Sequence, residues 1–293
     1  MTGTPALAVV AGALADAGLK TTVVLAGAWL VNRTLLRGGS AAQRHVVWTA
    51  ALSSLPLVLV AAAARGPSVA WDAPAWLGVW AVGACASGVG PVRGWLALRR
   101  LRARAVRAED LPGVAYVHGL DGPITWGVLR PQILLPADAA TWSAAERHAA
   151  LLHERAHVAR YDWGVHAWAW CIEAVFWFHP LVRQARAALI AEAEHAADDA
   201  VLASGVRASD YAALLLSLGR PSGHAVAVAM GESPLGPRIR AVLEPRARTT
   251  ARVGTAVLAG LAVIAAVAVA GPLPLWTTPA SVAVCGPAPQ TAP

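Results

Sequence analysis

Charge is scarce in this chain. Only 14% of its 293 residues are Asp, Glu, Lys or Arg, and Lys20 is the sole lysine. Soluble domains hold roughly 45–50% apolar residues, whereas here the fraction is 57% and the mean hydropathy is +0.52. The composition therefore argues against an ordinary soluble protein. Cysteine is sparse too. Cys85, Cys171 and Cys285 are scattered, form no C-x-x-C pair and exclude a disulfide framework, so they read as small inert hydrophobes. The start, "MTGTPALAVV", has no positive residue ahead of its apolar run, so no cleaved signal peptide is expected. No internal repeat is visible.

What the chain does have is tryptophan, 13 in all, and long apolar runs. Four are long enough for a bilayer, which needs about 20 residues. They cover residues 6–31, 46–64, 75–96 and 253–270. Asp16 and Lys20 lie inside the first, one helical turn apart. The net charge of +7 is almost entirely arginine, and its placement sets the sides. Arg33, Arg37 and Arg44 lie between runs one and two. Further clusters follow run three ("RGWLALRRLRARAVR") and precede run four ("PRIRAVLEPRARTTAR"). The positive-inside rule makes these segments cytoplasmic and both termini extracytoplasmic. The basic charge is then a matter of topology and anionic lipid, and no direct nucleic-acid contact is expected. The expected organisation is three spans in residues 1–98, a cytoplasmic domain in 99–252, a fourth span in 253–271 and a short disordered tail in 272–293.

The cytoplasmic segment contains "ALLHERAHVARYDW". Upstream, Ser143 and Glu146 have capping-box spacing and predict a helix from Ala144 that continues past His157. His153 and His157 then share a face, one turn apart, with Glu154 beside them. This H-E-x-x-H pattern suits two imidazoles on one zinc ion with a glutamate general base. The third ligand is not a downstream histidine of the H-E-x-x-H-x-x-G-x-x-H kind, because Arg160 and Trp163 occupy the required positions. A second helix-like stretch, "ALIAEAEHAADDAVLASG", stops at Gly205. On it Glu194 can complete a His, His, Glu set, and Asp198, four residues on, can hydrogen-bond a ligand imidazole. Glu192, His195 and Asp199 are competitors on the same stretch.

Together with "QRHVVWTAAL", "PITWGVLRPQILLP", "FWFHPLVRQA" and "PRIRAVL", these motifs resemble the BlaR/MecR antirepressor membrane metallopeptidases. The resemblance implies a mainly α, four-span helical membrane protein with a cytoplasmic α+β zincin-like domain of gluzincin type between spans three and four. It implies zinc ligands His153, His157 and Glu194, base Glu154, and Asp198 behind a ligand histidine. It also implies a bacterial cell-membrane location and a substrate that is a BlaI/MecI-type winged-helix repressor, the chain itself, or both. A homo-oligomer is compatible with it. His179 and Ala197 stand where the family often has Asn and Cys. No S-x-x-K motif occurs, so the extracellular penicillin-binding sensor of β-lactam-sensing members is expected to be lacking. Two other readings share these residues: a quality-control protease of the HtpX or CAAX-prenyl-protease type, and a non-enzymatic membrane protein with a structural metal site. The intact Glu154 disfavours the latter, since a structural site needs no base.

Three further expectations follow from the residues. "QILL" is a short strand, either an edge strand that could hold an extended substrate or a strand that only supports the core. "GVHAWAWCIEAVFWFHP" is a core or interfacial helix whose His166, Glu173 and His179 are not ligands, and Asp162 stabilises the turn before it. Asp210 caps a helix running to Arg220. His195, Tyr161 and Tyr211 are candidates to stabilise an oxyanion.

Overall fold

The computed structural model describes residues 4–64, 74–108, 111–218 and 234–244. Three long helices open the chain: α1 (Thr4–Thr34), α2 (Ala41–Ala64) and α3 (Pro74–Arg102). They overlap the first three apolar runs; the fourth lies outside the described residues. Among the described residues no helix is both long and apolar enough to cross a membrane. Lys20, Thr21, Asn32 and His45 are buried polar residues within or beside these runs, and Arg93 interrupts the third.

A small mixed sheet follows, built from β1 (Val106–Arg107), β2 (Val114–Val117), β3 (Ile124–Trp126) and β4 (Gln132–Pro136). Its order is β1-β2-β4-β3, with β2 parallel to β4 and the outer pairs antiparallel. The segment "QILLP" is thus an inner strand, which rules out its reading as an edge and leaves the reading as a strand that supports the core. Its four buried side chains in a row mark a strand covered on both faces. The edges are β1 and β3, and β3 lies beside the helix carrying the two histidines.

That helix is α4 (Ala144–Arg160), and its start is the expected capping box. The Glu146 amide donates to the Ser143 hydroxyl, and the Ser143 amide donates to the Glu146 carboxylate. Helix α5 (Asp162–Val175) follows after a single residue, Tyr161. Helix α6 (Pro180–Ala203) starts with proline in its first turn, where a missing N–H costs nothing, and ends before Gly205 at φ 94°. Two shorter helices complete the described fold: α7 (Ala208–Leu218) and α8 (Leu235–Leu243). Asp210 lies inside the first turn of α7 and pairs with Arg207, so it is not the cap expected of it.

The largest apolar core joins the first helices to the later ones. Leu52 and Leu55 of α2 pack with Val24 of α1, Ile172 and Phe176 around α5, and Leu189 of α6. Helix α5 is therefore a core helix, 14 residues long, and not a freely interfacial one. On its other side it meets α3, where Gly83 leaves no room for a Cβ against the Trp177 ring, and where the Trp80 indole donates to the Val175 carbonyl at 3.0 Å. Trp126 of β3 sits between Trp95 and Trp163, at ring separations of 6.2 and 5.2 Å. These contacts fix the sheet edge against α3 and α5.

Candidate metal centre

The centre forms where α4, α6, α7 and α8 converge. His153 and His157 are buried on one face of α4, as a four-residue spacing on a helix requires. Their rings meet edge to face, with centroids 4.7 Å apart. Glu194 of α6 reaches both, its carboxylate oxygens 3.4 Å from His153 Nε2 and 3.7 Å from His157 Nε2. One ligand atom from each of the three residues lies within 4.8 Å of the others.

The backs of both imidazoles are held. His157 Nδ1 lies 2.7 Å from Asp162 Oδ2. The carboxylate accepts, so Nδ1 carries the hydrogen and Nε2 is left with its lone pair. Asp162 reaches this position because Tyr161 adopts the left-handed conformation, φ 56° and ψ 32°, and turns the chain sharply between α4 and α5. A non-glycine residue rarely takes that conformation, and here it brings the first residue of α5 back against the last turns of α4. Asp162 also pairs with Arg160, whose guanidinium donates to the Ala193 carbonyl of α6 at 2.9 Å. Burial opposes ionisation of Asp162, but His157 and Arg160 outweigh it and hold the carboxyl below its ordinary range.

His153 Nδ1 faces Asp198 Oδ1 at 3.2 Å and the Tyr211 hydroxyl at 2.9 Å. The same reasoning leaves its Nε2 pointing inward. The two Nε2 atoms are 3.1 Å apart, so two lone pairs and a carboxylate converge on one point. That arrangement is repulsive unless a positive charge sits among them, and a metal ion fits it. Without one, His153 takes the charge as a proton. Burial pushes its pKa down, but Asp198 and Glu194 outweigh burial and raise it to about 9.

Behind this set lies a cation that the sequence reading assigned no part. Arg238 of α8 donates through Nη1 to Glu194 Oε2 at 2.9 Å and through Nε and Nη2 to Asp198 at 3.0 and 2.7 Å. Burial disfavours the charge on Glu194 and Asp198, yet Arg238 and the histidines hold both carboxyls well below the usual range. The Tyr211 hydroxyl donates to Asp198 at 2.7 Å, and burial plus the neighbouring carboxylate push its own pKa up. Tyr211 thus sits behind His153 and does not face the convergence point, which removes it from the oxyanion candidates. Tyr161 is largely exposed at the turn, and His195 Nε2 is buried with no hydrogen-bond partner among the described residues.

Glu154 is buried beside the pair. The Thr125 hydroxyl of β3 donates to its Oε2 at 2.7 Å. The competing residue Glu192 points elsewhere, to Arg44 of α2 at 2.8 Å. Asp199 lies one residue further round α6 than Asp198. His179 contacts Thr22 and the Gly18 carbonyl, Glu173 pairs with Arg186 and Arg183, and neither reaches the centre. His166 Nε2 is buried without a hydrogen-bond partner among the described residues.

The model of one peptidase family, described as BlaR1 peptidase M56, matches residues 71–242, more than half of the chain. The chain belongs to this family. The match takes in both histidines, Glu154, Glu194, Asp198 and Arg238. Among curated proteins it is similar to the "Regulatory protein BlaR1" of Bacillus licheniformis, 40% identical over 83 residues. That stretch is 28% of this chain and 14% of the relative's own length. The described fold is mainly helical with one small sheet, and within it the matched region supplies the whole sheet and every helix that builds the centre.

Proposed function

We propose that the chain is a membrane-embedded zinc endopeptidase of the BlaR/MecR type. In this reading His153, His157 and Glu194 hold the ion and Glu154 is the general base. The observation that carries the reading is the convergence of two Nε2 lone pairs, each fixed by a carboxylate behind its ring, and one glutamate oxygen. Two histidines and one carboxylate form a ligand set of catalytic zinc sites, which keep a position open. Zinc bound there would supply a Lewis acid that polarises the scissile carbonyl and acidifies a water.

The side chains of the chain do the rest. Glu154 takes a proton from the attacking water and returns it to the leaving amine. Thr125 holds Oε2 of that carboxylate, which leaves Oε1 to exchange the proton. Asp162 and Asp198 keep the two rings in the tautomer that presents Nε2. Arg238 keeps Glu194 and Asp198 ionised. β3, the edge strand that provides Thr125, is placed to pair with an extended peptide by strand addition.

The substrate we assign is a cytoplasmic winged-helix repressor of the BlaI/MecI type, the chain itself, or both. The cell-membrane location rests on the four apolar runs, and the cytoplasmic side rests on the arginine-rich segments that flank residues 99–252. The test compares cytoplasmic proteins cleaved in cells carrying the wild-type chain with those carrying Glu154→Gln. The variant should bind zinc as the wild type does and cleave nothing. A variant that still cleaves the same proteins removes Glu154 from its role.

A further inference from the structure

The stretch "QRHVVWTAAL" has no part in the chemistry described so far, yet it begins beside the metal centre. Ser40 and Gln43 start α2 by bonding each other. The Ser40 amide donates to Gln43 Oε1 at 3.0 Å, and the Gln43 amide donates to Ser40 Oγ at 3.3 Å. Arg44 then ties this first turn down at two points. It donates through Nε to Glu192 of α6 at 2.8 Å and through Nη1 to the Gly39 carbonyl at 2.8 Å. The next residue, His45, is thereby aimed at the start of α5. Its Nε2 lies 3.8 Å from Asp162 Oδ1, and both side chains are buried, at 6% and 2% exposure.

His45 Nε2 is enclosed and has no hydrogen-bond partner among the described residues. Buried polar groups are nearly always paired, so an exception asks for a reason. Burial drives the pKa of His45 down to about 4 against the pull of Asp162, so the ring is neutral near neutral pH and the contact is not an ion pair. A neutral imidazole carries one N–H, and the carboxylate beside Nε2 favours the tautomer with the hydrogen there. Among the groups that act on the ring, Asp162 is the one carboxylate, while Arg160, His157 and His166 are bases. The two oxygens of Asp162 divide their partners. Oδ2 takes His157 Nδ1 at 2.7 Å and Arg160 Nη2 at 2.5 Å, whereas Oδ1 faces Arg160 Nε at 3.3 Å and His45 Nε2 at 3.8 Å. The carboxylate turns about one bond, so whatever holds Oδ1 also keeps Oδ2 on His157. A separation of 3.8 Å is longer than a hydrogen bond, but an N–H dipole still attracts a carboxylate across it where water is excluded.

We propose that His45 is a positioning residue of the metal centre, holding Asp162 Oδ1 from the α2 side and so fixing the ring of His157 for the ion. It touches neither the ion nor the substrate. The proposal rests on the metal reading above, and it ties the helix of the second apolar run to a ligand ring. A histidine that only filled space would be replaceable by leucine with no consequence at the metal.

The test uses the full chain in neutral detergent near neutral pH. Zinc affinity is measured by competition with a chromophoric chelator, and thermal unfolding is followed with chelator present. His45→Leu keeps the bulk and loses the N–H. It should bind zinc about tenfold more weakly, the low end of what losing a group behind a metal ligand costs. Its chelated form should melt no lower than the wild type, because an unpaired buried nitrogen is gone. His45→Gln keeps an N–H donor and should recover most of the affinity. Added to Asp162→Asn, His45→Leu should cost nothing further, since its route runs through Asp162. Wild-type affinity in His45→Leu, equal losses in the leucine and glutamine variants, or a full further loss on the Asp162→Asn background overturns the proposal. So does a chelated His45→Leu that melts well below the wild type, which marks a structural role. A wild type that takes up no zinc removes the metal reading and this inference with it. A wild type that binds zinc no better than His45→Leu does overturns this inference alone.

Discussion

Replacing Arg238 with methionine removes a guanidinium that Glu194 and Asp198 share, leaving His153 as their other common partner, while keeping most of an apolar stem. In the structure its guanidinium lies 2.9 Å from Glu194 and 2.7 Å from Asp198. The side chains are largely shielded from water, at 14% exposure for Arg238, 19% for Glu194 and 4% for Asp198. Breaking a buried ion pair by deleting one partner costs about 3–5 kcal/mol, chiefly for the charge left behind. His153 and Tyr211 still contact the stranded carboxylates, which places the loss near the lower end, about 3 kcal/mol. In chains of this size each kcal/mol moves the melting temperature about 2–4 °C, so the chelated variant should melt about 6–12 °C below the chelated wild type. Zinc brings positive charge back to Glu194, so saturating zinc should raise the variant by more than it raises the wild type. The assay is thermal unfolding of the full chain in neutral detergent, with chelator and with zinc. A chelated variant that melts within about 2 °C of wild type, or that gains less from zinc, refutes the shared-cation account.

Three other outcomes are expected. Asp198→Asn should still load with zinc but lose about 10–100-fold in activity, whereas Asp199→Asn, about 100° further round the helix, should stay near wild type; equal losses in a peptidase assay would contradict the facing assigned to α6. In the metal-free protein the His153 pKa of about 9 lies above its ordinary 6.5, so its contribution to stability is complete below 6.5 and is lost as pH rises through about 9. Zinc must displace that proton, so zinc affinity should climb with pH across the same window, and a flat profile by competition titration would rule out a protonated His153. A reporter that works only outside the cytoplasm should be silent when fused after Arg104 and active when fused after Pro67; the reverse pattern would invert the assigned topology.

Local spacing carried much of the site into view. The i,i+4 histidines, the adjacent glutamate and the Glu194–Asp198 pair each lie on a single helix, and a helix turns adjacent letters into adjacent atoms. The Ser143 cap was visible for the same reason. What escaped reading depends on distance along the chain. Arg238 is 40 residues from Asp198 and Thr125 is 29 from Glu154, and one sequence gives no sign that such residues meet. Arg238 sat in a quoted motif, "PRIRAVL", without an assigned part. Asp162 is only five residues from His157, but its reach depends on a left-handed Tyr161, and no glycine or asparagine flags that turn. Whether "QILL" was an edge or an inner strand stayed open because strand order follows from the β2–β4 parallel pairing, which no local pattern encodes.

The apolar contact of α1 and α2 with α5 and α6 bears on how separable the parts of this chain are. A fragment starting after Leu98 would keep every residue of the metal centre, yet it would strip the cover from Ile172, Phe176, Val182 and Leu189. At about 1.5–3 kcal/mol per large apolar side chain, that loss rivals the whole of a marginal folding stability of about 5–15 kcal/mol. The bared face would also favour clumping. The region that holds the chemistry is thus not a cassette that can be lifted out and grafted onto another front end. Any exchange of modules during the history of such a chain had to carry the first two helices along with the later pair, or rebuild the seam between them.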